Sequence, residues 1–145
     1  MRIVADTNTV VSALLWRGSP HRLVAAIEDH PIGFYTSRAL LDELAEVLGR
    51  AKLAAAVQAT GKTPAQLLAE YQGFTQLVRP RLVRVVTRDP DDDHVIAAAI
   101  TARAQLIVSG DRHLTELKTH RGIKIVNAAQ ALDIIAGSPT RRGAS

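Results

Sequence analysis

Asp6, Glu43, Asp93 and Asp111 are the side chains of this sequence best placed to do chemistry. Asp6 ends the strand-like run Arg2–Asp6, and Asp111 follows the apolar run Gln105–Gly110. Asp93 heads an alanine-rich helical segment, and Glu43 sits at the edge of a helical apolar stripe. Carboxylates gathered in a low-dielectric site repel one another strongly. A divalent cation relieves that repulsion, and Mg²⁺ or Mn²⁺ takes oxygen ligands. Acids around such an ion, on a basic protein, point to phosphodiester hydrolysis.

Each acid also has a structural role that competes with the chemical one. Asp6 can close an Asx turn at its strand end, and Asp111 can do the same or cap the helix after it. Glu43 can be a surface residue at a helix boundary. Asp93 can cap its own helix. At about 100° per residue Asp93 shares a stripe with Ala97, Ile100 and Ala104. Asp91 turns away from that stripe and Asp92 lies near its edge, so Asp92 is the main rival for the role given to Asp93. Structural explanations would have to hold four times over to account for the whole set.

The elements that must position these acids alternate between strand and helix. Strands are expected at 2–6, 31–36, 82–86, 105–109 and 123–126. Helices are expected from Asn8, from Ser19-Pro20 to His30, and from Ser37 to about Arg50. Others run from Thr63-Pro64 to about Val78, from Asp93 to Arg103, from Arg112 to Leu117, and from Asn127 to Ala136. This alternation implies an α/β domain, a three-layer α/β/α sandwich around a parallel sheet of about five strands. Ligands bind beyond the carboxyl ends of such strands, where Asp6 and the Ser109–Asp111 turn fall. One domain over residues 1–136 is expected, with 137–145 a flexible basic tail.

Composition narrows the classes of function. The 145 residues include no cysteine, which excludes disulfides, thiolate metal sites and thiol catalysis. The five histidines are scattered without ligand spacing. The first apolar run is broken at Asp6, and no apolar stretch reaches the roughly 18 residues of a membrane helix, so a cytoplasmic location is expected. Net charge is +4, but with the four acids set aside the remainder carries +8, a footprint for a polyanion. Aromatic residues are only 3%, so nucleic acid would be held by phosphate contacts more than by stacking. No phosphate-binding loop or dinucleotide fingerprint is present. Asp6-Thr-Asn-Thr-Val10 is a poor match to haloacid-dehalogenase-type phosphatases, because Asn8 stands where their second aspartate acts.

Four segments, taken in order, resemble the PIN domain, a family of metal-dependent ribonucleases. They are Asp6-Thr-Asn8, Leu41-Asp-Glu43-Leu-Ala-Glu-Val-Leu48, Asp89-Pro-Asp-Asp-Asp93-His-Val-Ile-Ala-Ala98 and Leu106-Ile-Val-Ser-Gly-Asp111. The likeness covers about residues 1–136 and is similar to the bacterial VapC-like branch, the toxin components of toxin–antitoxin pairs. Many VapC-like proteins carry Asn where this chain has Asp111. The resemblance implies that Asp6, Glu43, Asp93 and Asp111 hold one or two Mg²⁺ or Mn²⁺ ions. Asn8, Ser109 and Asp92 would be supporting polar groups.

The activity so implied is RNA hydrolysis leaving a 5′ phosphate and a 3′ hydroxyl. Arg81, Arg84, Arg88, Arg112 and Lys118 are candidates to guide the strand. A homodimer and a cognate antitoxin protein are the implied partners. Leu53, Val57, Leu67 and Leu68 are candidate anchors for such contacts, with core packing as their competing role. The alternative from another class is a catalytically silent RNA-binding or protein-interaction module. A receiver-like phosphoacceptor domain is excluded by the missing Lys after the last strand, where Val126-Asn127 stands.

Overall fold

β-Branched and aliphatic runs that are apolar on both faces become the centre of a sheet covered on both sides. The structure, a computed structural model describing residues 1–138, places five strands in parallel. They are β1 (Arg2–Ala5), β2 (Gly33–Ser37), β3 (Thr75–Val78), β4 (Leu106–Val108) and β6 (Ile123–Val126), with β1 and β4 of this kind at the centre. A short β5 (Thr119–His120) pairs antiparallel with β6, so the sheet has six strands in the order β3-β2-β1-β4-β6-β5. Residues 139–145, which hold most of the expected tail, lie outside the described residues.

Strand alternation divides the core in two. Ile3, Ala5, Leu106 and Val108 face one layer, while Val4 and Ile107 face the other. The first layer contains α1 (Thr7–Leu15), α2 (Ser19–Ala25), α5 (Pro64–Phe74) and α8 (Ala128–Ala136). The second is built on α6 (Pro90–Ala102) and α7 (Arg112–Thr115). Helix α3 (Arg38–Leu48) gives Leu41, Leu44, Val47 and Leu48 to the first core and Leu40 to the second. Each fully buried aliphatic side chain adds about 1.5–3 kcal/mol. Val57, on the short α4 (Ala54–Ala59), and Leu67 are buried in the first core, with Leu53 and Leu68 packed against it. Core packing is therefore the role observed for all four.

Two expected elements differ. The helix from Pro64 stops at Phe74 instead of continuing to Val78, and Thr75–Val78 pairs with Phe34–Ser37 as β3. The Thr75 hydroxyl donates to the Tyr71 carbonyl at 2.9 Å, and Phe74 packs edge-to-face on Phe34 and Tyr71. These contacts fix the turn out of the helix, where Gly73 already weakens helical preference. Residues 82–86, expected as a strand, form no strand; Val85 is 90% exposed. Pro80, which has no N–H to donate, stands two residues past the edge strand, and no strand forms between it and α6.

The order reverses between β1 and β4. The chain runs outward from β1 to β2 and β3, then returns to lay β4 on the other side of β1. Such a switch leaves a crevice at the carboxyl ends of the two central strands.

Candidate metal centre

Three helices begin at that crevice, and each is capped by an aspartate. The Asp6 Oδ1 accepts the Thr9 N–H at 2.9 Å and starts α1. The Asp89 Oδ1 accepts the Asp91 N–H at 2.9 Å and starts α6. The Asp111 Oδ1 accepts the His113 N–H at 2.9 Å and starts α7. Caps satisfy orphan N–H groups, and the positive helix ends favour the anions. Each cap uses one oxygen. Capping and ligand binding, which compete when the sequence is read alone, are compatible at these positions.

The carboxylates converge on a cavity of about 190 Å³ lined by Asp6, Glu43, Asp89, Asp91, Asp92 and Asp111. One oxygen from each of Asp89, Asp92 and Asp111 lies within 4.8 Å of the others. Arg50 also lines this cavity, but its guanidinium is engaged by Glu46 at 2.8 Å. Ser109 is fully buried behind the acids. Its hydroxyl donates to the Asp6 Oδ2, and its Oγ accepts the Asp111 N–H at 2.9 Å. One hydroxyl thus ties the loops after β1 and β4 together. We expect Ser109→Ala to lower metal-dependent activity by about 10–100-fold, as loss of a group orienting ligands does. A circular dichroism spectrum like the wild type's would confine that effect to the site.

Asp92 is only 5% exposed, and its Oδ2 has no hydrogen-bond partner. Burial raises its carboxyl to about 8, aided by shared hydrogen bonding with Asp111 and the charges of Asp111, Asp89 and Asp6. Glu43 is raised to about 7, first by burial and then by Asp91 and Asp89, with a hydrogen bond to Thr7 acting in the opposite sense. An orphaned, buried carboxylate oxygen among other acids fits a hard divalent ion, which takes an all-oxygen donor set. Asp89, Asp92 and Asp111 could hold such an ion, with Asp6 and Glu43 lining the same cavity.

The structure brings together Asp6, Glu43, Asp111, Asn8 and Asp92 of the expected residues, with Ser109 directly behind. It does not bring Asp93, expected among the metal-binding acids, into the lining of that cavity. The Asp93 Oδ1 accepts N–H groups of Val86 at 2.9 Å and Thr87 at 2.8 Å, holding the chain before α6 against the helix. The apolar stripe does not separate Asp92 from Asp93, because α6 is buried nearly all round. Asp89, Asp91, Thr7 and Arg50 also line the cavity and were missed. Asp89 was legible as a cap beside Pro90 at the first helical position.

The expected basic residues are dispersed. Arg81 and Arg84 line a different groove, Arg112 and Lys118 line a cavity beside Ser109 and Gly110, and Arg88 is exposed just before α6. No helix among the described residues is long and apolar enough to cross a membrane.

The fold is an α/β/α sandwich whose acidic cleft at the strand switch could hold a divalent cation. The chain belongs to the PIN domain family, whose model matches residues 2–113. PIN domains are generally metal-dependent nucleases. No match was found among curated proteins.

Proposed function

We propose that this protein is a Mg²⁺- or Mn²⁺-dependent endoribonuclease whose site is Asp6, Glu43, Asp92 and Asp111, with Asp89 completing the set. The observation that carries this reading is the buried, unpartnered Asp92 Oδ2 beside Asp89 and Asp111. A bound divalent ion would supply charge stabilisation and water activation for phosphodiester hydrolysis. The chain's own residues hold and orient that centre. Ser109 and the Thr9 N–H fix both oxygens of Asp6, and the His113 N–H fixes one oxygen of Asp111. Thr7 orients Glu43. Asn8, exposed at the rim, is available to a substrate phosphate. No side-chain nucleophile is required.

The same proposal extends to the biological role. The four segments resembling VapC-like proteins support a toxin of a toxin–antitoxin pair, acting as a homodimer. A cognate antitoxin would place a basic side chain, such as an arginine, among the carboxylates. Incubating purified protein with labelled single-stranded RNA in Mg²⁺, Mn²⁺ or EDTA, beside Asp6→Asn, tests the activity. Cleavage in metal that disappears in EDTA and in the variant is the expected result. RNA bound but uncut in every metal would replace the nuclease with a silent binding module.

A further inference from the structure

A second concavity, a groove of about 400 Å³, runs along the flank of α6 away from the acids. Arg79, Arg81, Arg84 and Arg121 line it together with Ile96, Ala97 and Ile100 of α6. None of these four arginines has a carboxylate partner among the described residues. Asp93 is the only acid in the lining, and its Oδ1 is occupied by the N–H groups of Val86 and Thr87. Unpaired guanidiniums over an apolar floor make a poor resting surface in water and a good one for phosphates, which arginine grips in a bidentate fork.

We propose that this groove carries single-stranded RNA toward the acidic pocket, an inference that rests on the endoribonuclease reading for its destination. Asp93 in the groove lining and Asp92 in the pocket lining are adjacent residues at the start of α6. From Asp93 to Thr101 the helix rises about 12 Å, room for a few consecutive phosphates. The floor accepts ribose and base faces with little selection among them, since no Phe, Tyr or Trp lines the groove and His120 is its one stacking ring. Recognition here is led by phosphate and tolerant of sequence. An acidic peptide is the less favoured occupant, because the endoribonuclease reading gives it no chemistry at the acidic pocket.

Fluorescence anisotropy of a short labelled single-stranded RNA in EDTA tests the groove apart from catalysis. The Arg81→Ala/Arg84→Ala double variant should bind about tenfold or more weakly. Its plot of log affinity against log salt should be shallower by about 1.4, the share of two phosphates. Arg38→Ala, which removes an exposed arginine paired with Asp42 on α3, should bind as the wild type does. Unchanged affinity in the double variant, equal loss in Arg38→Ala, or no binding by the wild type each overturns the groove. A double variant that binds RNA normally but changes mass by light scattering would make the groove an interface between copies, and also overturns the RNA path. Mn²⁺-dependent cleavage measured in parallel separates the two readings. Cleavage with groove-independent binding removes the groove alone, and groove-dependent binding without cleavage by the wild type removes the nuclease alone.

Discussion

Asp92→Asn should lose metal-dependent RNA cleavage by about a thousandfold, while Asp93→Asn should stay within about threefold of the wild type. A centre for a divalent ion is worth several kcal/mol of transition-state stabilisation, and about 4 kcal/mol corresponds to a thousandfold in rate. Asp92 contributes the buried Oδ2 that has no other partner, and an amide there cannot supply the same anionic donor. Asp93→Asn keeps an Oδ1 that can still accept from Val86 and Thr87, so the chain before α6 stays in place. Single-turnover cleavage of labelled RNA in saturating Mn²⁺ reads both variants. The reverse ranking would return the metal-binding role to Asp93 and undo the present assignment.

Stability in EDTA should fall as pH rises from about 4 to about 8, and added Mn²⁺ should matter most at the upper end. The folded carboxyl of Asp92 is raised to about 8 from an ordinary value of 3.8, and that of Glu43 to about 7 from 4.5. A raised carboxyl means that the folded protein binds protons more tightly than the unfolded chain. Below the ordinary values both states are protonated and nothing is lost. Between the ordinary and raised values the unfolded chain ionises freely while the folded pocket resists, so stability declines. Above the raised values the loss is complete.

A cation in the pocket neutralises the same charges and must displace the same protons. Its binding therefore strengthens with pH. Melting curves in EDTA and in millimolar Mn²⁺ at pH 5 and pH 8 should show the larger metal-induced rise at pH 8. Asp92→Asn in EDTA should flatten the pH dependence. At pH 8 it should raise stability by at least about 1–3 kcal/mol, the cost of a buried polar group left without a partner, which is larger for a charged one. A metal-free protein with no decline between pH 4 and pH 8, or a metal-induced shift larger at pH 5, would remove this account of the pocket.

Local chemistry made most of the scaffold readable. Apolar runs of β-branched residues give β1, β4 and β6, and Ser37, Thr63 and Asn127 cap their helices as their side chains predict. Asp6 and Asp111 were readable because each ends a strand and starts a helix, which in a parallel sheet puts it at the functional edge. Residues 75–86 were not readable. The β-branched run at 82–86 has strand preference but pairs with no strand, whereas Thr75–Val78 gains pairing with β2 from a neighbour more than 35 residues away in sequence. Pairing energy of that kind overrides local preference.

By itself, then, the sequence determined an α/β domain, the strand ends that carry Asp6 and Asp111, the helix that carries Glu43, and a run of acids opening α6. Only the tertiary structure decided which of those acids meet. Helix α6 is apolar on nearly every face, so its periodicity does not indicate which side looks toward the switch between β1 and β4. That side is set by packing against β1, β2 and α3, and the packing turns Asp92 into the carboxylate pocket and Asp93 onto the preceding chain. A rotation of one residue along a helix is about 100°. Side-chain chemistry is the same for both aspartates, and the packed position of the helix alone separates a metal-binding candidate from a structural one.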